Sequence, residues 1–153
     1  FRKAAGKRPK RNGCVSKHAT RTRQVKEPVW LLESAVLAVH NMTIARFGGT
    51  DGVRDSGLLE SALARPSNIY QYDRSAQIAQ LAAAYAGGII QNHPFVDGNK
   101  RTGFMAAYIF LDINGSTLVA DEVSATAMTL SLAASEIDES DYGIWLATNI
   151  ETL

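Results

Sequence analysis

The sequence predicts an all-α domain: a helical bundle with a central buried helix pair and a short extended flap. Three observations point there. Apolar residues make up 46% of the 153 positions, enough to fill a core. Ala and Leu are plentiful, which favours helix over sheet. Apolar positions recur at helical spacing, and no alternation is long enough for a sheet.

The elements follow in order. Pro28 suits the first position of a helix, and residues 29–47 carry Leu32, Val36, Val39 and Ile44 on one face. Gly48 and Gly49 end it. After a polar loop, Ser56 can cap a short helix over 57–65, which Pro66 stops. Residues 67–74 read as a short extended piece. Ser75 opens an Ala-rich helix over 76–92 that is apolar nearly all round, hence buried. A polar loop at 93–98 leads into a second apolar helix, 99–114, closed by Gly115. Two further helices are expected at about 121–135 and about 141–150.

Charge divides the chain in two. Residues 1–27 hold ten of the sixteen basic residues and one acid, Glu27, which leaves a net charge of −8 on 28–153. The first part reads as a basic disordered tail, or as an extension joined ahead of a product that starts near Val25. The second part, 28–153, reads as the working domain. Its acidity argues against a direct nucleic-acid role, because a binding face must neutralise phosphates. The single cysteine, Cys14, fits a reducing compartment. The longest strongly apolar run, 81–90, is about ten residues and too short to span a bilayer. A cytoplasmic protein without membrane contact is expected.

The chemistry concentrates in His93-Pro94-Phe95-Val96-Asp97-Gly98-Asn99-Lys100-Arg101. A loop feeding a helix start offers free backbone N–H groups and the positive end of the helix dipole, which together make an anion site. Gly98 allows a phosphate to approach the backbone. Lys100 and Arg101 are two of only six cations in the acidic domain. Asp97 is a hard oxygen ligand suited to the Mg2+ that accompanies ATP. His93 is a candidate general base. Taken singly, each residue has an ordinary reading as a cap, a turn or a solvated charge. Nine residues between two apolar helices make coincidence a poor explanation.

This run resembles the Fic/Doc signature H-x-F-x-[D/E]-G-N-x-R and matches every fixed position. The stretch Asp51-Gly52-Val53-Arg54-Asp55-Ser56-Gly57-Leu58-Leu59-Glu60-Ser61-Ala62-Leu63-Ala64-Arg65-Pro66 resembles a second hallmark, that of the Doc (death on curing) branch. The resemblance covers about residues 28–150. It implies His93 as base, Asp97 as metal ligand, and Gly98, Asn99, Lys100 and Arg101 as the phosphate-binding set. It implies that Asn68, Ile69, Tyr70, Gln71 and Tyr72 form the flap that aligns a target segment by strand-like pairing.

Most relatives in this family transfer AMP and read G-N-G-R-x-x-R. Here Lys100 replaces the second Gly, and Phe104 stands where the second Arg would be. A side chain at 100 takes space from the anion hole, and loss of an Arg removes a bidentate phosphate clamp. Both departures match the Doc branch, whose members are kinases acting on a Thr of elongation factor Tu and arresting translation. The resemblance therefore implies a toxin that uses ATP and Mg2+ and is restrained by a cognate antitoxin whose disordered C-terminal segment folds on it. AMP transfer on the same scaffold is the runner-up, and a catalytically inactive Fic-fold binding module comes third. The inhibitory pattern [S/T]-x-x-x-E-[G/N] is met only in part, at Ser56/Glu60 and Ser135/Glu139.

Overall fold

The computed structural model describes residues 26–153, and the expected tail over 1–25 lies outside them. Six helices and the two strands of a small sheet follow in chain order: α1 (Glu33–Phe47), α2 (Ser56–Tyr72), α3 (Ile78–Asn92), α4 (Asn99–Ile113), β1 (Ser116–Leu118), α5 (Glu122–Ala133), α6 (Glu139–Thr148) and β2 (Ile150–Thr152). This is the expected all-α bundle.

Helix α3 is its axis. Eleven of its fifteen residues are buried, and α2, α4, α5 and α6 all pack on it. Its small residues make this possible. A Cβ on Gly88 would lie 3.2 Å from the Cα of Ala62, so α2 and α3 meet almost backbone to backbone. Phe110 and Leu111 of α4 and Tyr142 and Leu146 of α6 close the core around it.

Four expectations about elements are corrected. Residues 28–32 are not helical, with Leu32 in an extended conformation, and α1 starts at Glu33. Tertiary contacts hold this strap out of a helix. The Val29 N–H donates to Asn114 Oδ1 (2.7 Å), and Asn114 Nδ2 donates back to the Val29 carbonyl (3.0 Å). The Leu31 N–H reaches the Tyr85 hydroxyl, and Trp30 stacks on Phe110.

Second, Pro66 does not stop α2, which runs on to Tyr72. An internal proline removes one helical hydrogen bond and costs roughly 3 kcal/mol. Continuing the helix offsets this by placing Pro66 and Tyr70 in the core, with Tyr70 edge-on to Trp30. Asn68, Ile69, Tyr70, Gln71 and Tyr72 are therefore helical, with their backbone bonded within α2, and offer no strand edge.

Third, α3 starts at Ile78, because Ser75 is held in a turn by the Asp73 carboxylate. Fourth, β1 and β2 form a two-stranded antiparallel sheet pairing Ser116 with Thr152 and Leu118 with Ile150. Three residues per strand leave no legible period.

Candidate active site

The loop between α3 and α4 is built from both ends. His93 closes α3 in the left-handed conformation (φ 48°, ψ 54°), which non-glycine residues seldom adopt. Gly98 opens α4 at φ 76°. A Cβ there would come 3.1 Å from Ile44 Cδ1, so this position favours glycine on both counts.

Asn99 locks the turn. Its Oδ1 accepts from the Phe95 N–H and its Nδ2 donates to the Phe95 carbonyl, both at 3.0 Å. This fixes the amide orientation and leaves the second Nδ2 hydrogen facing His93 Nδ1 at 3.5 Å. Phe95 points into the core and stacks on the buried His40 ring of α1 at 3.9 Å. His40 Nε2 donates to the Asp97 carbonyl (2.8 Å) and anchors the outer part of the loop.

The Asp97 carboxylate is oriented by two backbone amides. Oδ1 accepts from the Gly98 N–H (2.8 Å), and Oδ2 accepts from the Thr50 N–H (3.3 Å). Each oxygen keeps a free lone pair. A single exposed carboxylate fits Mg2+, which takes one or two carboxylates plus substrate phosphates and retains water.

The first turn of α4 is the anion-binding part. Thr102 donates the first helical bond, to the Gly98 carbonyl, so the N–H groups of Asn99, Lys100 and Arg101 lack an intrahelical acceptor. The Arg101 guanidinium sits 4.2 Å over the Phe47 ring, which holds it at the cleft wall.

His93, Asp97, Gly98, Asn99, Lys100 and Arg101 all line one cleft of about 830 Å³. From these residues it extends along an apolar limb past Phe104, Met105, Tyr108, Leu118 and Leu130, with Glu122 on its wall. The stretch 68–72 does not line it. Tyr70 is core and Tyr72 is 96% exposed. The partial inhibitory matches are also elsewhere: Glu60 is exposed on α2, while Glu139 pairs with Arg65 and rests against Gly87.

Several contributors were missed from the sequence. The backbone beside the loop is residues 49–55, where Val53 bridges Phe95 and the Val96 N–H donates to the Gly52 carbonyl (3.0 Å). A Cβ on Gly49 (φ 117°) would lie 2.6 Å from Asp97 Oδ2. The Arg54 guanidinium donates to the carbonyls of Asn92 (3.0 Å) and His93 (2.7 Å). Its rarity was a usable signal, since only six cations occur in 28–153. Nothing in the local pattern marks His40 or Gly49.

Comparison with known proteins agrees with this geometry. The family model described as Fic/DOC family matches residues 30–111. Over 76 residues the chain is 49% identical to Toxin Doc of Mycolicibacterium smegmatis, covering 49% of this chain and 58% of that protein. Over 105 residues it is 31% identical to Protein kinase doc of Escherichia phage P1, covering 69% and 82% respectively. The match thus spans little more than half of the first relative and over four fifths of the second. The loop, its helix start and these matches agree: the chain belongs to the Fic/DOC family.

Proposed function

We propose that this protein is the toxin of a toxin–antitoxin pair and transfers the γ-phosphate of ATP to a Thr hydroxyl of elongation factor Tu. The observation that carries the reading is the convergence of His93, the Asp97 carboxylate and the α4 N-terminus on one cleft. Lys100 and Phe104 on the same wall support phosphate over AMP as the transferred group. The names of the two relatives, a toxin and a protein kinase, support the same reading.

In the proposed reaction His93 takes the proton of the target hydroxyl. Nδ1 faces the Asn99 amide across a long 3.5 Å contact, which orients the ring, and a ring nitrogen with an unengaged lone pair takes the proton. The hydroxyl oxygen bonds to the γ-phosphorus while the bond from that phosphorus to the β-phosphate bridging oxygen breaks, and ADP leaves. Charge on the transferred group is met by the α4 amides and by Arg101. Mg2+ held at Asp97 would neutralise phosphate charge.

We assign target alignment to the loop at residues 50–55 rather than to 68–72, since exposed Val53, bridged to Phe95, and exposed Val96 border the site there. The apolar limb of the cleft suits a segment of the antitoxin that folds on docking.

The test uses ATP labelled at either end, with Mg2+ and elongation factor Tu. Label on the target from the γ position alone supports the reading; label from the α position overturns it in favour of AMP transfer. Lys100→Gly is expected to reduce phosphate transfer and to open AMP transfer, and an unchanged kinase rate would remove position 100 from the account.

A further inference from the structure

We propose that Arg54 is a positioning residue for His93, an inference that rests on the reading of His93 as the base. His93 is exposed in the cleft, and its recorded side-chain contact is the 3.5 Å approach to Asn99. Packing therefore does little to aim the ring, and the direction of its Cα–Cβ bond is set by the backbone. That backbone is left-handed at a non-glycine residue, a strained state that needs external support.

Arg54 supplies the support from 39 residues away. The last carbonyls of a helix lack internal donors. The planar guanidinium caps two of them at once, Nε to the His93 carbonyl at 2.7 Å and Nη2 to the Asn92 carbonyl at 3.0 Å. The Arg54 backbone N–H adds a third tie, to the Pro94 carbonyl at 2.7 Å. Peptide units on both sides of His93 are thus held by one residue. No carboxylate pairs with Arg54 among the described residues, so its charge serves these carbonyls. A lysine offers a single donor head and cannot fix two carbonyls in one plane.

The test compares Arg54→Met and Arg54→Lys in the full chain by three readouts. These are the 13Cα and 13Cβ shifts of His93, which report its backbone conformation, kcat against KM for ATP, and the thermal midpoint. In Arg54→Met the His93 shifts should leave left-handed values. The kcat should fall about 10- to 100-fold, with KM for ATP changed by less than about twofold. Arg54→Lys should recover part of both effects. Unmoved His93 shifts together with a wild-type kcat would overturn the proposal. So would a lower kcat that follows only a lower melting point with unmoved shifts. Should Arg54→Met fail to fold, Arg54→Lys carries the test, since it must lower kcat without raising KM. If the wild-type protein transfers nothing to any acceptor, the functional reading fails, while the carbon shifts still decide the positioning role.

Discussion

At the residue scale, the site is a set of short loop residues whose geometry is imposed from outside the loop. Asn99 shows this best, because its amide satisfies both backbone groups of the buried Phe95. Asn99→Ala leaves that N–H and C=O unpaired, at about 1–3 kcal/mol for each group. A lowered urea midpoint and loss of transfer are the expected outcome, and an unchanged midpoint would show that the loop holds itself. Gly49→Ala asks the same of Asp97, the proposed metal ligand. The new Cβ would meet Asp97 Oδ2 at 2.6 Å, in a backbone region that suits glycine. A strain of about 1–3 kcal/mol and weaker Mg2+ binding by calorimetry are expected. That the contiguous loop residues share one cleft was legible from sequence, because they lie together at a helix start. Arg54, His40 and Gly49 were not, because their partners lie 38 to 57 residues away or, for Gly49, in Asp97 across the loop.

At the element scale, tertiary packing overrode two local rules. Pro66 reads as a helix stop, and Pro28 as a helix start. The structure continues through the first and delays the second, because Trp30 and Tyr70 meet in the core. Tyr70→Ala should therefore cost about 3–5 kcal/mol in urea unfolding, as a large buried ring does. Tyr72→Ala, at a fully solvated position, should leave stability and transfer as they are. A strong loss of transfer in the Tyr72 variant would restore a role for that turn in target alignment.

The link between α2 and α6 carries a pH dependence. Burial pushes the Glu139 carboxyl above its ordinary 4.5, against the pull of Arg65. A raised carboxyl binds its proton more tightly in the folded state. Its contribution to stability is full below 4.5 and is lost as pH rises through the raised value. Glu139→Gln should thus gain stability relative to wild type between acid and neutral pH, and the reverse trend in urea midpoints would mean that the Arg65 attraction dominates.

At the scale of the whole molecule, the all-α class was readable because the helices carry their own apolar pattern or caps within single stretches. The small sheet of β1 and β2 was not, since it joins strands of three residues across two helices. The acidity of 28–153 sharpens the site: six cations serve that whole stretch, and Arg54, Lys100 and Arg101 all belong to the loop and its supports. Among the described residues no helix is long and apolar enough to cross a membrane. Removing residues 1–24 is expected to leave phosphate transfer unchanged in a labelled-ATP assay, whereas a lost activity would bring the basic segment into the site.

The central claim is that this cleft moves a phosphate, rather than AMP, from ATP to a protein hydroxyl. Intact-mass spectrometry of elongation factor Tu after incubation with the protein and Mg-ATP addresses it most directly. The account predicts the mass of one added phosphate, absent with His93→Ala. A gain of one AMP, or no gain from a folded, ATP-binding protein, would contradict it.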